Sequence, residues 1–313
     1  MSNSLKSLKR FCVDRPALKR QVKRLRYLAV RWLCWPSMAG ASSGPTILGY
    51  HTVGEGDDDL SVSTETFRMQ ITWLRRHGYQ IVTLRHWWAM AHANGAAPAR
   101  CVVLTFDDGF QGTWRYAAPI LAAEGLAATI FLVTDYLGRT NAYDRPLGVR
   151  ELAMLSWDEV GELKRLGWDL QSHGRRHSPL VGLSRDALSE ELAGSKAIIE
   201  QRMGEPVEFF CYPYGSFDVD AVEAVAPAGY TAAVTCRPGT LPHPSEADPY
   251  RLPRSLVDGV MTTADFAACF SPGYRWLSEC SAWMRQQRGA HLACPFDEWE
   301  KLASRKVGDD GVA

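Results

Sequence analysis

No stretch of this 313-residue chain stays apolar for the roughly 18–20 residues that a membrane-spanning helix needs. Nor is there an excess of charge, since 35 Lys and Arg balance 35 Asp and Glu. A balanced chain has no overall field to draw it to nucleic acid or acidic polymers, so no nucleic-acid partner is expected and recognition must come from a local site. The eight cysteines form no CxxC and no close His/Cys cluster, which argues against a cysteine zinc site. Their scatter is unlike a small disulfide scaffold and reads as free, mostly buried thiols in a reducing compartment. Internal repeats and low-complexity segments are also missing. What is plentiful is apolar residue, at 46%, enough for one large core or two modest ones.

The one uneven segment is the N-terminus. Residues 1–31 carry ten Lys and Arg against a single acid, Asp14, and Trp32-Leu33-Cys34-Trp35 follow. Arg31 interrupts the apolar stretch that begins at Tyr27, and the basic region is longer than a signal peptide wants, so a cleaved signal is the lesser reading. A basic, Trp-flanked helix lying on an anionic membrane surface and a plain solvated tail remain as alternatives. The expected location is the cytoplasm or the cytoplasmic face of a membrane. The expected divisions are a leader over 1–44, one catalytic domain over 45–270 and a C-terminal extension over 271–313.

Between the ends, strand and helix signals alternate. Strands are expected at 46–51, 79–82, 101–106, 127–133, 168–172, 209–213, 230–235 and 252–257. Helices are expected at 64–77, 84–92, 116–124, 157–166, 188–203 and 218–226, several of them stopped by Gly78, Gly125, Gly167 or Gly204. This alternation predicts a parallel sheet with helices packed outside. Several strands end in chemically capable residues: His51, Asp107, Asp108, His173 and Tyr214. In α/β barrels the strands' carboxyl ends form the site, so these residues should gather at one mouth.

Asp107-Asp108-Gly109 reads by itself either as a turn or as a carboxylate pair, and two adjacent carboxylates need a cation or a proton between them. His173 and His177 lie four residues apart, a spacing that lets both reach one ion; a lone pair of this kind is more often one capping or core histidine beside an exposed one. Together, one carboxylate and two imidazoles make the ligand set of an open zinc site, and the same set also suits iron.

Thr105-Phe106-Asp107-Asp108-Gly109 resembles the first signature of the polysaccharide deacetylases (carbohydrate esterase family four, with its NodB-like domain). Ser172-His173-Gly174-Arg175-Arg176-His177 resembles the second and Tyr212-Pro213-Tyr214-Gly215 the third, in the same order and spacing. Tyr50-His51 is similar to a subset linked to amino-sugar exopolysaccharides. The resemblance runs from about residue 46 to 258. It implies a distorted (β/α) barrel of about seven parallel strands and a metal-dependent hydrolase that removes N-acetyl groups from an amino sugar. It further implies that Asp108, His173 and His177 hold one divalent ion, most simply Zn2+, and that Asp107 is general base toward the attacking water. Pro213 and Tyr214 would line the substrate, and the Tyr214 backbone N–H would aid the oxyanion.

The chain also departs from that pattern. The third signature usually opens with an Arg that orients the base, but position 211 is Cys; Arg254 is expected to supply the charge from the last strand. The late Leu-x-His that donates a proton is absent, leaving His51, and less well His243, to protonate the leaving amine; a structural role for His51 is equally open. Trp87-Trp88 reads as core packing rather than as a sugar platform. Trp114, just after the Asp pair, is the better stacking candidate. Two competing functions stay open: hydrolysis of another linear or cyclic amide on the same site, and a non-catalytic carbohydrate-binding scaffold.

Overall fold

The structure, a computed structural model, describes residues 44–271 except 55, 57, 95–99 and 242–247, together with six positions between 21 and 32. The leader as a whole, His243, the extension over 272–313 and Cys12, Cys34, Cys280 and Cys294 lie outside the described residues. Among those described, no helix is long and apolar enough to cross a membrane.

Ten strands run in chain order: β1 (Thr46–Tyr50), β2 (Thr52–Val53), β3 (Ser61–Val62), β4 (Gln80–Val82), β5 (Cys101–Phe106), β6 (Thr129–Leu132), β7 (Asp169–Ser172), β8 (Phe209–Cys211), β9 (Ala232–Val234) and β10 (Ser255–Leu256). All pairings between them are parallel. The main sheet has the order β10-β1-β5-β6-β7-β8-β9, with β4 added against the first half of β5. A parallel bridge from Val234 to Leu252 brings the β9 edge round to the segment that becomes β10, so the sheet curls into a distorted barrel.

The helices are α1 (Thr64–Arg76), α2 (Leu84–Asn94), α3 (Ala118–Ala123), α4 (Trp157–Arg165), α5 (Arg185–Ser189), α6 (Ser195–Met203), α7 (Val219–Val225) and α8 (Thr263–Ala268). Local sequence accounts for them. Ser63 caps α1 by accepting the Thr66 N–H, and the apolar face of that helix buries Phe67, Ile71 and Leu74. Ser156 and Glu159 form a reciprocal capping box on α4. Gly204 ends α6 in the left-handed conformation that only glycine adopts without strain.

Two cores follow from the two faces of the sheet. Leu48, Val102, Leu104, Phe106, Ile130, Leu170 and Phe210 pack outward against the helices. Ile47, Cys101, Val103, Phe131, Phe209, Cys211 and Val234 pack inward, where Leu84 and Trp87 of α2 join them. Trp87 is therefore core, 1% exposed. Strand side chains alternate between faces, so continuing the inward set along each strand leads to its carboxyl end. Thus 101, 103 and 105 lead to Asp107 on the interior face, while Gln171 leads to His173.

Candidate active site

Asp107 and Arg254 meet above the inner core. Arg254 Nη1 donates to Asp107 Oδ1 at 2.6 Å and Nη2 donates to Oδ2 at 2.7 Å. The guanidinium is fully buried, yet its other donors are also used, by the Thr235 carbonyl, Thr105 Oγ1 and the Cys211 and Cys236 sulfurs. A buried ion pair is tolerable when its remaining donors are satisfied in this way. Burial would raise the Asp107 carboxyl, but the Arg254 charge overrides it and holds the group well below the usual carboxylate range. Gly49 makes the room: a Cβ there would come within 3.1 Å of the Arg254 guanidinium and 2.7 Å of a Leu256 methyl. The thiol at 211, small and neutral, lies 3.1 Å from Arg254 Nη2.

Asp108 reaches the same mouth by a different device. Its neighbour already occupies the interior face, so Asp108 turns in through a left-handed backbone, φ 70°. His177 (φ 59°) and Tyr214 (φ 56°) do likewise, and these three are all the positive-φ non-glycine residues among those described. Such conformations cost on the order of 1–3 kcal/mol each and collect at functional sites.

Asp108 Oδ1 stands 3.5 Å from His173 Nε2 and 3.2 Å from His177 Nε2. In a tetrahedral site with bonds of about 2.0–2.2 Å, neighbouring donors stand about 3.3–3.6 Å apart; both carboxylate-to-imidazole spacings are close to that, and one donor atom from each residue lies within 4.8 Å of the others. Their protonation points the same way. His173 Nδ1 faces the Cys211 carbonyl at 2.7 Å, which can only accept, so Nδ1 carries the proton. Burial lowers His173 to about 4, so near neutral pH its Nε2 offers a lone pair toward a carboxylate oxygen. Two lone pairs face each other there unless a cation or a proton lies between them. Burial, then the charge of His173, lowers His177 well below the usual imidazole range. Burial, with Asp144 and Asp107 nearby, pushes Asp108 well up. Asp108 Oδ1 and His177 Nδ1 are buried without a hydrogen-bond partner. These residues fit a divalent metal ion.

A segment that carried no signal in the sequence walls this mouth. Between β6 and α4 the chain runs through short 3-10 turns, pinned to the Asp107 loop where Leu155 N–H donates to the Gly109 carbonyl. It brings the Tyr143 ring against His177, with centroids 4.6 Å apart. It also places Asp144 where its Oδ1 accepts the Tyr214 hydroxyl at 2.9 Å. Burial raises Asp144 to about 6, the Tyr214 bond offsetting part of the rise. Tyr214 follows β8 in the Pro213–Gly215 turn, with its ring 4.2 Å from that of His177. Pro213 is buried at the start of that turn.

His51 directly follows β1, half-buried, and is near enough to act electrostatically on Asp107, His173 and His177. Trp114 is not brought to the mouth. After Asp107 the chain enters a π-turn at Thr113, and the indole N–H of Trp114 donates to Glu162 on α4 at 2.7 Å while its ring packs on the outer core. None of its contacts reaches the cluster. None of the four described cysteines, Cys101, Cys211, Cys236 and Cys269, is in a disulfide.

Comparison with known proteins bears on the family and the fold. The polysaccharide deacetylase family matches residues 94–233. The poly-beta-1,6-N-acetyl-D-glucosamine N-deacetylase of Staphylococcus epidermidis is 28% identical over 208 residues, 64% of this chain and 68% of that one. The Streptococcus pyogenes deacetylase PplD, solved with acetate, superposes with a TM-score of 0.63 at 22% identity, over 74% of this chain and all of that one. IcaB from Ammonifex degensii gives 0.63 at 23% identity, over 73% and 98% of the two chains. These likenesses in structure establish the shared curled α/β fold.

Proposed function

We propose that this chain, which belongs to the polysaccharide deacetylase family, is a metal-dependent hydrolase that removes N-acetyl groups from an amino sugar in a polysaccharide of the poly-N-acetylglucosamine kind. The supporting observation is the opposite treatment of two adjacent carboxylates. Asp107 is kept ionised by Arg254, while Asp108 is turned onto the Nε2 atoms of two buried histidines, a donor set that suits a cation.

Asp108, His173 and His177 would hold one divalent ion; Zn2+ suits this set, as do other divalent transition metals. Bound there, the ion supplies Lewis acidity, making water nucleophilic near neutral pH and polarising the acyl carbonyl. Asp107 accepts the proton of the attacking water. Because Arg254 favours the carboxylate over the acid, Asp107 also gives that proton up readily. His51 delivers a proton to the leaving amine. The Tyr214 N–H stabilises the oxyanion, and the Pro213-Tyr214 turn lines the acetyl group. One water is consumed, and acetate and a free amine leave. The left-handed strain at Asp108, His177 and Tyr214 favours this reading over a scaffold, which has no use for it.

The basic leader is proposed to touch an anionic membrane at its cytoplasmic face, a reading supported by its charge and by exposed Leu25, Leu28 and Trp32.

The decisive assay is acetate release from N-acetylglucosamine oligomers by protein stripped of metal and resupplied with Zn2+, with Asp107→Asn alongside. Release that returns with metal and is missing in the variant is the expected result. Stoichiometric metal binding without release would reject these oligomers as substrates and turn attention to lipid-linked sugars and small amides. No metal binding at all would overturn the mechanism.

A further inference from the structure

We infer that Glu191 is a positioning residue for the metal site, its buried carboxylate holding the turn between His173 and His177 so that both rings face one ion. The inference rests on the ligand set proposed above. Glu191 lies 14 residues beyond His177, in a π-turn (Glu190–Gly194) between α5 and α6, and its side chain is 1% exposed. Oε2 accepts the backbone N–H groups of Arg175 and Arg176 at 2.9 and 3.0 Å. Oε1 accepts Arg176 Nε at 2.9 Å and the Ser178 hydroxyl at 3.4 Å.

The turn is gripped from its other side too. The carbonyls of Gly174 and Arg175 accept the N–H groups of Thr134 and Asp135, and the Gly174 N–H donates to Ser172 Oγ. Glu191 is thus the acceptor for the N–H groups of the two residues midway between the ligands, and nothing else takes them. Gly174 shows how close the fit is: with φ +84°, a Cβ there would lie 2.9 Å from Glu191 Oε2. The π-turn explains the reach. Ser195 Oγ donates toward the Glu191 and Leu192 carbonyls at 2.6 and 2.9 Å, and the extra residue in the turn directs Glu191 toward the loop.

The alternative is a plain ion pair with Arg176. That pair cannot account for the geometry, because the two backbone bonds do not involve the Arg176 side chain, and Arg176 is 43% exposed. His177 ends the turn in a strained conformation that relaxes once the N–H groups are released. Partners that orient metal ligands in this way change metal affinity by about 10–100-fold when removed.

The test measures Zn2+ affinity by competition with a chromophoric chelator, and the visible spectrum of the Co2+-loaded protein, for wild type, Glu191→Ala, Glu191→Gln and Arg176→Ala. Glu191→Ala should bind Zn2+ about 10–100-fold more weakly with an altered Co2+ spectrum. Glu191→Gln should recover part of the loss, because its amide oxygen can accept both backbone N–H groups, and it serves in place of the alanine variant if that fails to fold. Arg176→Ala should stay within about fivefold of wild type, because Arg176 is the half-exposed end of the pair and Glu191 keeps its two backbone donors and Ser178. Wild-type affinity and spectrum in both Glu191 variants would overturn the inference alone. A loss in Arg176→Ala equal to that in Glu191→Ala would assign the effect to the ion pair and overturn it as well. A wild type that binds no metal would overturn the ligand set itself.

Discussion

Replacing Arg254 with Met keeps much of its volume and removes the charge, leaving Asp107 buried at 2% exposure without its partner. The lost contacts are two short charge-assisted bonds, and breaking such a buried pair costs about 3–5 kcal/mol. The fold escapes part of that cost by protonating Asp107. At 1.36 kcal/mol per unit, the same energy moves its carboxyl up by about 2–4 units. The sign is definite: burial already favours the neutral acid, and the guanidinium is the main influence opposing it. In wild type Asp107 titrates so low that turnover has no acid limb from this group at working pH. In Arg254→Met the limb should move up by the same roughly 2–4 units, while at neutral pH, where Asp107 stays ionised, kcat should fall only by what losing the two-pronged orientation of the carboxylate costs. Arg254→Lys should lie between, because it restores charge but not the two-pronged geometry. The assay is the pH profile of kcat on the Zn2+-loaded protein, beside a thermal melt to check folding. A folded Arg254→Met with the wild-type kcat and an unmoved acid limb would refute the reasoning.

Asp107→Asn should lose turnover by about 10²–10⁴-fold while still binding Zn2+, whereas Asp108→Asn should lose the metal itself; equal metal loss in both would show that the two roles are not divided. Asp144 is raised in the fold from 3.8 to about 6, so it costs nothing while neutral in both states below about pH 4 and its full penalty once ionised near pH 7, about 3 kcal/mol. Metal-free Asp144→Asn should therefore gain stability on wild type as pH rises from 4 to 7, and a denaturation gap that stays flat across that range contradicts this. Trp114→Phe should lose roughly 1 kcal/mol of stability with its bond to Glu162 but leave KM within about twofold; a large rise in KM would return Trp114 to the substrate.

Much of the barrel and part of its mouth could be read along the chain, because both follow local rules. Residues 101–106 form a continuous apolar run ending in the Asp pair, and glycines mark the ends of several helices. Alternation along β5 and β7 carries Asp107 and His173 inward without any knowledge of their neighbours. Arg254 could be named because the resemblance implies an Arg beside the base and position 211 is Cys. Gly49 is a legible signal of the same kind: an isolated glycine inside a strand marks a close approach, here by Arg254.

The rest depends on contacts between distant segments. The residues between Val133 and Trp157 have no helical or strand period, so nothing in their order shows that Tyr143 will stack on His177 or that Asp144 will take the Tyr214 hydroxyl. Trp114 was misplaced because nearness to Asp107 in sequence says nothing about the direction of a π-turn. The left-handed turns at Asp108, His177 and Tyr214 run against each residue's own preference and persist only where the surrounding fold imposes them. The sequence by itself determined the order of strands and helices, the inward face of each strand and the donor atoms available, because these depend on the chemistry and periodicity of near neighbours. Tertiary structure alone decided that Arg254 reaches Asp107, that Glu191 grips the histidine turn and that one donor atom each from Asp108, His173 and His177 gathers within 4.8 Å of the others, because each requires segments far apart in the chain to be held in register by the curled sheet.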